Sequence, residues 1–122
     1  MRKFRVWDKV KNKMHIGNTG FHLFSNGALG FNSGHDYEVV DSNNFEVLFY
    51  TGLKDKAGKE IYESDIDQDG GRMFYNESIA AFQIDYGGDV DIADMEDVDK
   101  WMVVSGNIYE SPELLNPLNK QS

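Results

Sequence analysis

Short runs of β-favouring residues, punctuated by Gly, Asn and Asp, predict a mainly β protein, either a small all-β barrel or a β-rich α+β fold. Two observations carry that expectation. Val, Ile, Phe, Tyr and Trp gather in short stretches with period-two alternation. Turn formers separate the stretches at close intervals, and only one segment near the C-terminus opens like a helix. At 122 residues the chain has the length of one domain and can bury a substantial core.

The elements follow in order. KFRVWD (3–8) alternates Phe4 and Val6 against Arg5 and Trp7, as a strand does. KVKNKM supplies a polar turn, and Met14 to Ile16 return as a short second strand. Residues 17–36 hold Gly17, Gly20, Gly27, Gly30 and Gly34. That density opposes a helix and predicts turns or an irregular segment, docked by Phe21, Leu23, Phe24, Leu29 and Phe31. No Lys-Ser/Thr follows those glycines, so they make no phosphate loop.

DYEVVD (36–41) precedes NFEVLFYTG (44–52), whose nearly continuous apolar run predicts a central, buried strand. In KDKAGKE (54–60) Asp55 can accept from its own backbone and Gly58 can supply positive φ, which predicts a turn into a returning strand at 60–66. RMFYNESIAAFQIDYGG (72–88) reads as a strand pair or one long bent strand. The pattern of DVDIADMEDVDKW (89–101) does not settle its structure, a strand giving way to one helical turn being one reading, and WMVVSGNIYE reads as another strand. SPELL opens a short helical turn, with Ser111 as N-cap, Pro112 first and Pro117 as its stop.

Three blocks together resemble the YopX family of bacteriophage and prophage proteins. They are KFRVWDKVKNKM near the start, YTGLKDKAGKEIYESDI at 50–66 and VVSGNIYESPELL at 103–115. The resemblance implies a single domain over 1–122, with an N-terminal β hairpin or arm and Gly-rich segment in 1–49. It implies a small SH3-like barrel in 50–122, ending in the short helical turn. It also implies a phage or prophage of a Gram-positive host, and it carries over no activity. Where the family usually reads E-G-D-I, this chain has Glu63-Ser64-Asp65-Ile66, which speaks against a strict positive-φ requirement at that site.

Composition narrows the function classes. There are no cysteines, hence neither a disulfide framework nor a thiolate metal site, which fits a bacterial host cytoplasm. No apolar run approaches the roughly 20 residues that span a bilayer, and no signal-peptide core follows the basic start, so a soluble protein without a membrane partner is expected. Residues 1–60 carry nine Lys/Arg against seven Asp/Glu, and residues 61–122 carry three against fourteen. An acidic surface repels phosphate backbones, so nucleic acid is a poor partner. The asymmetry itself suggests homo-oligomers, a basic N-terminal arm against an acidic partner face.

DIDQDGGRMFYNE (65–77) begins like an EF-hand: Asp65, Asp67 and Asp69 alternate and Gly70 follows. The likeness stops there. Arg72 stands where an apolar residue belongs, Asn76 where the bidentate Glu must be, and the preceding segment is strand-like. The expectation is a solvated turn built from Asp67, Asp69, Gly70 and Gly71. The acidic tract with Asp89, Asp91, Asp94, Glu96, Asp97 and Asp99 reads as a solvated face. His15, His22 and His35 lack metal spacing. No nucleophile motif is present, no cofactor is implied, and the aromatics Trp7, Tyr50, Tyr62, Trp101 and Tyr109 are the candidate binding surface. The sequence therefore reads as a non-catalytic module that binds a host or phage protein. The alternative is a Mg- or Ca-dependent enzyme, or a weak calcium binder, using Asp65, Asp67 and Asp69.

Overall fold

The computed structural model describes residues 3–17, 20–32, 34, 36–87 and 92–116. The protein is mainly β, with three antiparallel sheets and minimal helix. It divides into two compact units, Met1–Phe49 and Tyr50–Ser122.

In the first unit, β1 (Phe4–Asp8) and β2 (Lys13–His15) form the expected hairpin, with Trp7 opposite Met14 and Asp8 opposite Lys13. Asp8 closes its turn: Oδ1 accepts from the Val10 and Lys11 amides, each at 3.0 Å. Asn12 takes the left-handed conformation, which a short polar side chain tolerates. We number the long strand Phe45–Lys54 as β6, and its first half pairs with the other edge of β1 from Phe49 opposite Phe4 to Phe45 opposite Asp8.

The Gly-rich segment is more regular than its composition suggests. It supplies β3 (Phe21–Leu23), β4 (Leu29–Asn32) and, just beyond, β5 (Tyr37–Val39), in the order β3-β4-β5. Phe21, Leu23, Leu29 and Phe31 keep period two, while Gly20, Gly27 and Gly34 take positive φ between or before the strands. The glycines punctuate a small sheet; they do not dissolve it. Val6, Trp7, Leu29 and Leu48 are the buried apolar side chains of this unit.

In the second unit the later half of β6 pairs with β7 (Glu60–Tyr62), Tyr50 opposite Tyr62, with a register shift around Gly52. β6 thus has a ladder partner on each edge, as its apolar run implies. Full burial does not follow: only Leu48 is buried along it. Two hydrogen-bonded edges make a strand central without covering both its faces.

The other sheet of this unit has the order β11-β10-β9-β8-β12. Its strands are β8 (Asp65–Asp67), β9 (Arg72–Asn76), β10 (Ala81–Asp85), β11 (Ile92–Asp94) and β12 (Val104–Asn107). Segment 72–88 is therefore a strand pair, and the acidic tract does pass from strand to a helical turn, α1 (Val98–Trp101). Asp89, Asp91, Gly88, His35 and Pro117 lie outside the described residues. Pro112–Leu114 forms a 3-10 turn with Ser111 at the N-cap position, but the Ser111 side chain makes no capping bond. Ile61, Met73, Ile84, Val98, Met102 and Val104 form the core, with Tyr86, Ala93, Met95 and Trp101 packed against it. Full burial of a side chain of this size contributes about 1.5–3 kcal/mol.

Ser64 corrects an expectation. Its φ is 71°, in the left-handed region, so the site does demand the conformation that glycine takes freely. Its amide donates to the Met73 carbonyl at 2.9 Å and its carbonyl accepts from Ile108 at 3.0 Å. Those bonds hold Ser64 in place despite the Cβ strain. Ser64→Gly is expected to stabilise the protein by about 1 kcal/mol, a rise of roughly 3–5 °C in Tm by calorimetry. A fall in Tm would show that the Ser64 hydroxyl matters more than its backbone.

Candidate functional site

Among the described residues, nine of the Asp and Asn side chains serve one local purpose. Asp8, Asp41, Asp55, Asp67 and Asp85 each accept the amide two residues on. Asn26, Asn32, Asn76 and Asn107 do the same. This is the Asx turn, in which a short side-chain oxygen imitates a backbone carbonyl and closes a bend.

The stretch Asp65–Gly71 is an elaborated case. Asp67 Oδ1 accepts from the Asp69 and Gly71 amides at 2.9 Å each, and Oδ2 accepts from the Tyr86 hydroxyl. Asp65 Oδ2 accepts from the Tyr62 amide at 2.8 Å. Asp65 and Asp67 are each 1% exposed, and only Asp69 of the three faces solvent. The expected solvated turn is thus corrected: Asp67, Gly70 and Gly71 are buried. Both oxygens of Asp67 already hold protein donors, so the alternation that resembles a calcium loop is the end of β8 feeding a packed hairpin. Among the described residues no three His, Asp or Glu side chains come together as a cation would require.

Asp55 is the long-range member. Oδ1 accepts from Ala57 and Lys59 amides within its own turn, and Oδ2 accepts from the Val104 amide of β12, all at 2.9 Å. Burial pushes its carboxyl pKa up, but the amides of Val104, Lys59 and Ala57 outweigh burial and hold it below the usual value. Burial likewise raises Asp8, and the Lys11 amide, the His15 ring and the Val10 amide bring it below the usual value. A carboxylate whose folded pKa lies under its unfolded one contributes stability that is complete above the unfolded pKa and lost as pH falls through the folded one. Tm is therefore expected to hold from neutral pH to about pH 5 and to drop below about pH 4. The acid limb should flatten in Asp55→Asn, and an equally steep limb would assign acid sensitivity to other groups.

The aromatic set does not form one surface. Trp7 is buried in the first unit, and Tyr62 is buried in the second, its ring 5.4 Å from that of Tyr50. Trp101 donates Nε1–H to the Glu96 carbonyl at 2.9 Å and packs on the core. Tyr109 is half-buried in the turn closed by Asn107.

The first unit instead carries a cleft of about 350 Å³ lined by Asp8, Val10, Lys11, His15, Phe21, Phe31, Val40, Asn44 and Phe45. Its aromatic wall is built around Phe21, whose ring centroid lies 5.1 Å from His15, 5.1 Å from Phe31 and 5.5 Å from Phe45. At the polar end Asp8 Oδ2 faces His15 Nε2 at 3.5 Å. A second hollow of about 380 Å³ is lined by Leu29, Val39, Val47 and neighbours, and the two share Val40 and Phe45. The sequence offered Phe21 and Phe31 only as docking residues and His15 only as a structural or surface residue without metal spacing. The signal for a site was the pairing of a β hairpin that returns His15 near Asp8 with the period-two aromatics of 21–31.

A family model for the YopX protein matches residues 3–116. The chain belongs to the YopX family. Protein yopX from Bacillus subtilis, known from a crystal structure, is 26% identical, with a TM-score of 0.62 over 94% of this chain and 97% of that one. The crystal structure of protein EF1440 from Enterococcus faecalis shares the fold at 24% identity, with a TM-score of 0.63 over 94% and 98% of the two chains. No curated protein matches. The YopX-like block at 50–66 now has a physical content: it holds the Asp55 turn, β7, the left-handed Ser64 and the start of β8. Among the described residues no helix is long and apolar enough to cross a membrane.

Proposed function

We propose that this YopX-family protein is a non-catalytic module that binds another protein, from the phage that encodes it or from the bacterial host, in the host cytoplasm. We also assign the SH3-like barrel portion to the second unit. The five antiparallel strands there, with a bulge in β12 between Val104 and Gly106, support that assignment, since bulges help a sheet to curl. The observation that carries the functional reading is the open, aromatic-walled cleft of the first unit. Asp8, Asp55 and Asp67, the buried carboxylates that accept amides of their own turns, are meanwhile occupied as turn caps. The metal-dependent alternative gains nothing from Asp67, whose oxygens have three donors.

The test is affinity capture by the tagged chain from lysates of phage-carrying host cells, with Phe31→Ser in parallel. A protein retained in near-equal amount by the wild type and lost by the variant is the expected result. Calorimetric titration with Ca²⁺, Mg²⁺ and Mn²⁺ accompanies it. Heat at micromolar metal that Asp67→Asn abolishes would replace this reading with the metal-dependent one.

A further inference from the structure

We propose that the cleft of the first unit receives an extended acidic segment of a partner protein. A tryptophan or tyrosine of that segment sits among Phe21, Phe31 and Phe45 and donates its N–H or O–H to Asp8. The inference rests on the binding-module reading above and names its ligand. Size comes first. A cleft of about 350 Å³ stands at the low end of ligand sites, suited to one side chain and too small for a dinucleotide. The second hollow shares Val40 and Phe45 with it, so the two adjoin. Side chains at i and i+2 of an extended chain point the same way, roughly 6–7 Å apart. The proposal places an aromatic in the first hollow and an aliphatic residue in the second.

Chemistry selects the aromatic. Asp8 is 4% exposed; its Oδ1 already serves two amides, while Oδ2 has His15 at 3.5 Å, long for an N–H···O bond. Asp8 thus lines a mainly apolar hollow with one oxygen held only by the long contact to His15, and that oxygen can accept a further bond. A cationic donor would meet Lys11 in the same lining and lose its hydration. A neutral donor on a ring that packs against phenyl faces avoids both costs.

Charge selects the surroundings. Lys11 and Lys13 are exposed on the β1–β2 hairpin beside the cleft, while Lys9 there is paired with Glu46 at 3.0 Å. Residues 1–49 hold six Lys/Arg against five Asp/Glu, while residues 50–122 hold six against sixteen. The cleft thus lies in the less acidic of the two units, beside exposed lysines, and an acidic segment is steered to it. In its lining Val10 and Phe31 are 70% and 39% exposed, apolar area that an occupant would cover.

The experiment is a titration of the isotope-labelled full-length chain with acetyl-Glu-Asp-Trp-Asp-Val-Glu-amide, followed by amide chemical shifts. Saturable shifts at Val10, Lys11, Phe31 and Val40 are expected. Replacing the peptide's Trp by Phe removes the donor and should weaken binding about fivefold. Lys11→Glu should weaken it several-fold, and Phe31→Ser should abolish it, with circular dichroism showing both variants folded. A tighter arginine-containing peptide, or shifts centred elsewhere, overturns the proposal. So does a wild-type dimer in light scattering that Phe31→Ser dissociates, since a second copy would then be the occupant. If the peptide fails while a captured protein is retained by wild type and lost by Phe31→Ser, this inference falls and the binding-module reading stands. If neither peptide nor protein is held, both fall.

Discussion

Gly71→Ala is expected to lower stability by about 3 kcal/mol, a Tm loss of roughly 10 °C. A Cβ at that position would lie 2.6 Å from Ile84 Cγ2 and 2.6 Å from Tyr86 Cε1. Ile84 is fully buried and cannot yield without disturbing the core. The Tyr86 ring can yield only by pulling its hydroxyl off Asp67. Overpacking of this kind costs about 1–3 kcal/mol, and loss of a hydrogen bond to a buried charge adds about 1.5–3 kcal/mol. Gly58→Ala is the control: φ there is 82°, yet nothing lies within 4 Å of the added carbon. It should cost only about 1 kcal/mol. Equal losses from the two substitutions in a urea melt would show that packing around Gly71 is not what excludes a side chain.

Asp55→Ala is expected to cost about 3–4 kcal/mol. The substitution strips acceptors from three amides at once, those of Ala57, Lys59 and Val104. The first two border an exposed turn and can recruit water. The Val104 amide is buried in β12 and cannot, and an unsatisfied buried donor is expensive. Asp55→Asn separates the contributions, because its oxygen can still close the turn while its NH2 meets the Val104 amide donor to donor. A loss of about 2 kcal/mol is expected for it. If Asn equals wild type in thermal melts, the bond to Val104 contributes nothing to stability.

The Asp55 turn was legible because everything it needs locally is local: an acceptor at its start and a glycine where φ turns positive. The Asp67 turn uses the same chemistry and misled, because its decisive partner, Tyr86, lies nineteen residues away. Alternating aspartates look solvated until the donors that neutralise them are known. Ser64 misled in the other direction. A residue that prefers negative φ was forced past it by backbone bonds to Met73 and Ile108, a tertiary override that composition does not reveal. The strand content of the Gly-rich segment was visible in the spacing of Phe21, Leu23, Leu29 and Phe31, yet glycine number masked it. The cleft could be read only in its parts, the β1–β2 hairpin and the period-two aromatics, since Asp8, His15, Phe21 and Phe45 converge only through two different sheets of the first unit.

The strand order of the second unit has a kinetic corollary. From β8 to β11 each strand neighbours the next in sequence, so that part can assemble by closing short loops, whereas β12 must bring Val104 back to Asp67 across the whole intervening chain. Non-local closure of that sort comes late on the folding route. The damage done by losing the Asp55–Val104 bond should then appear as faster unfolding, with refolding almost unchanged.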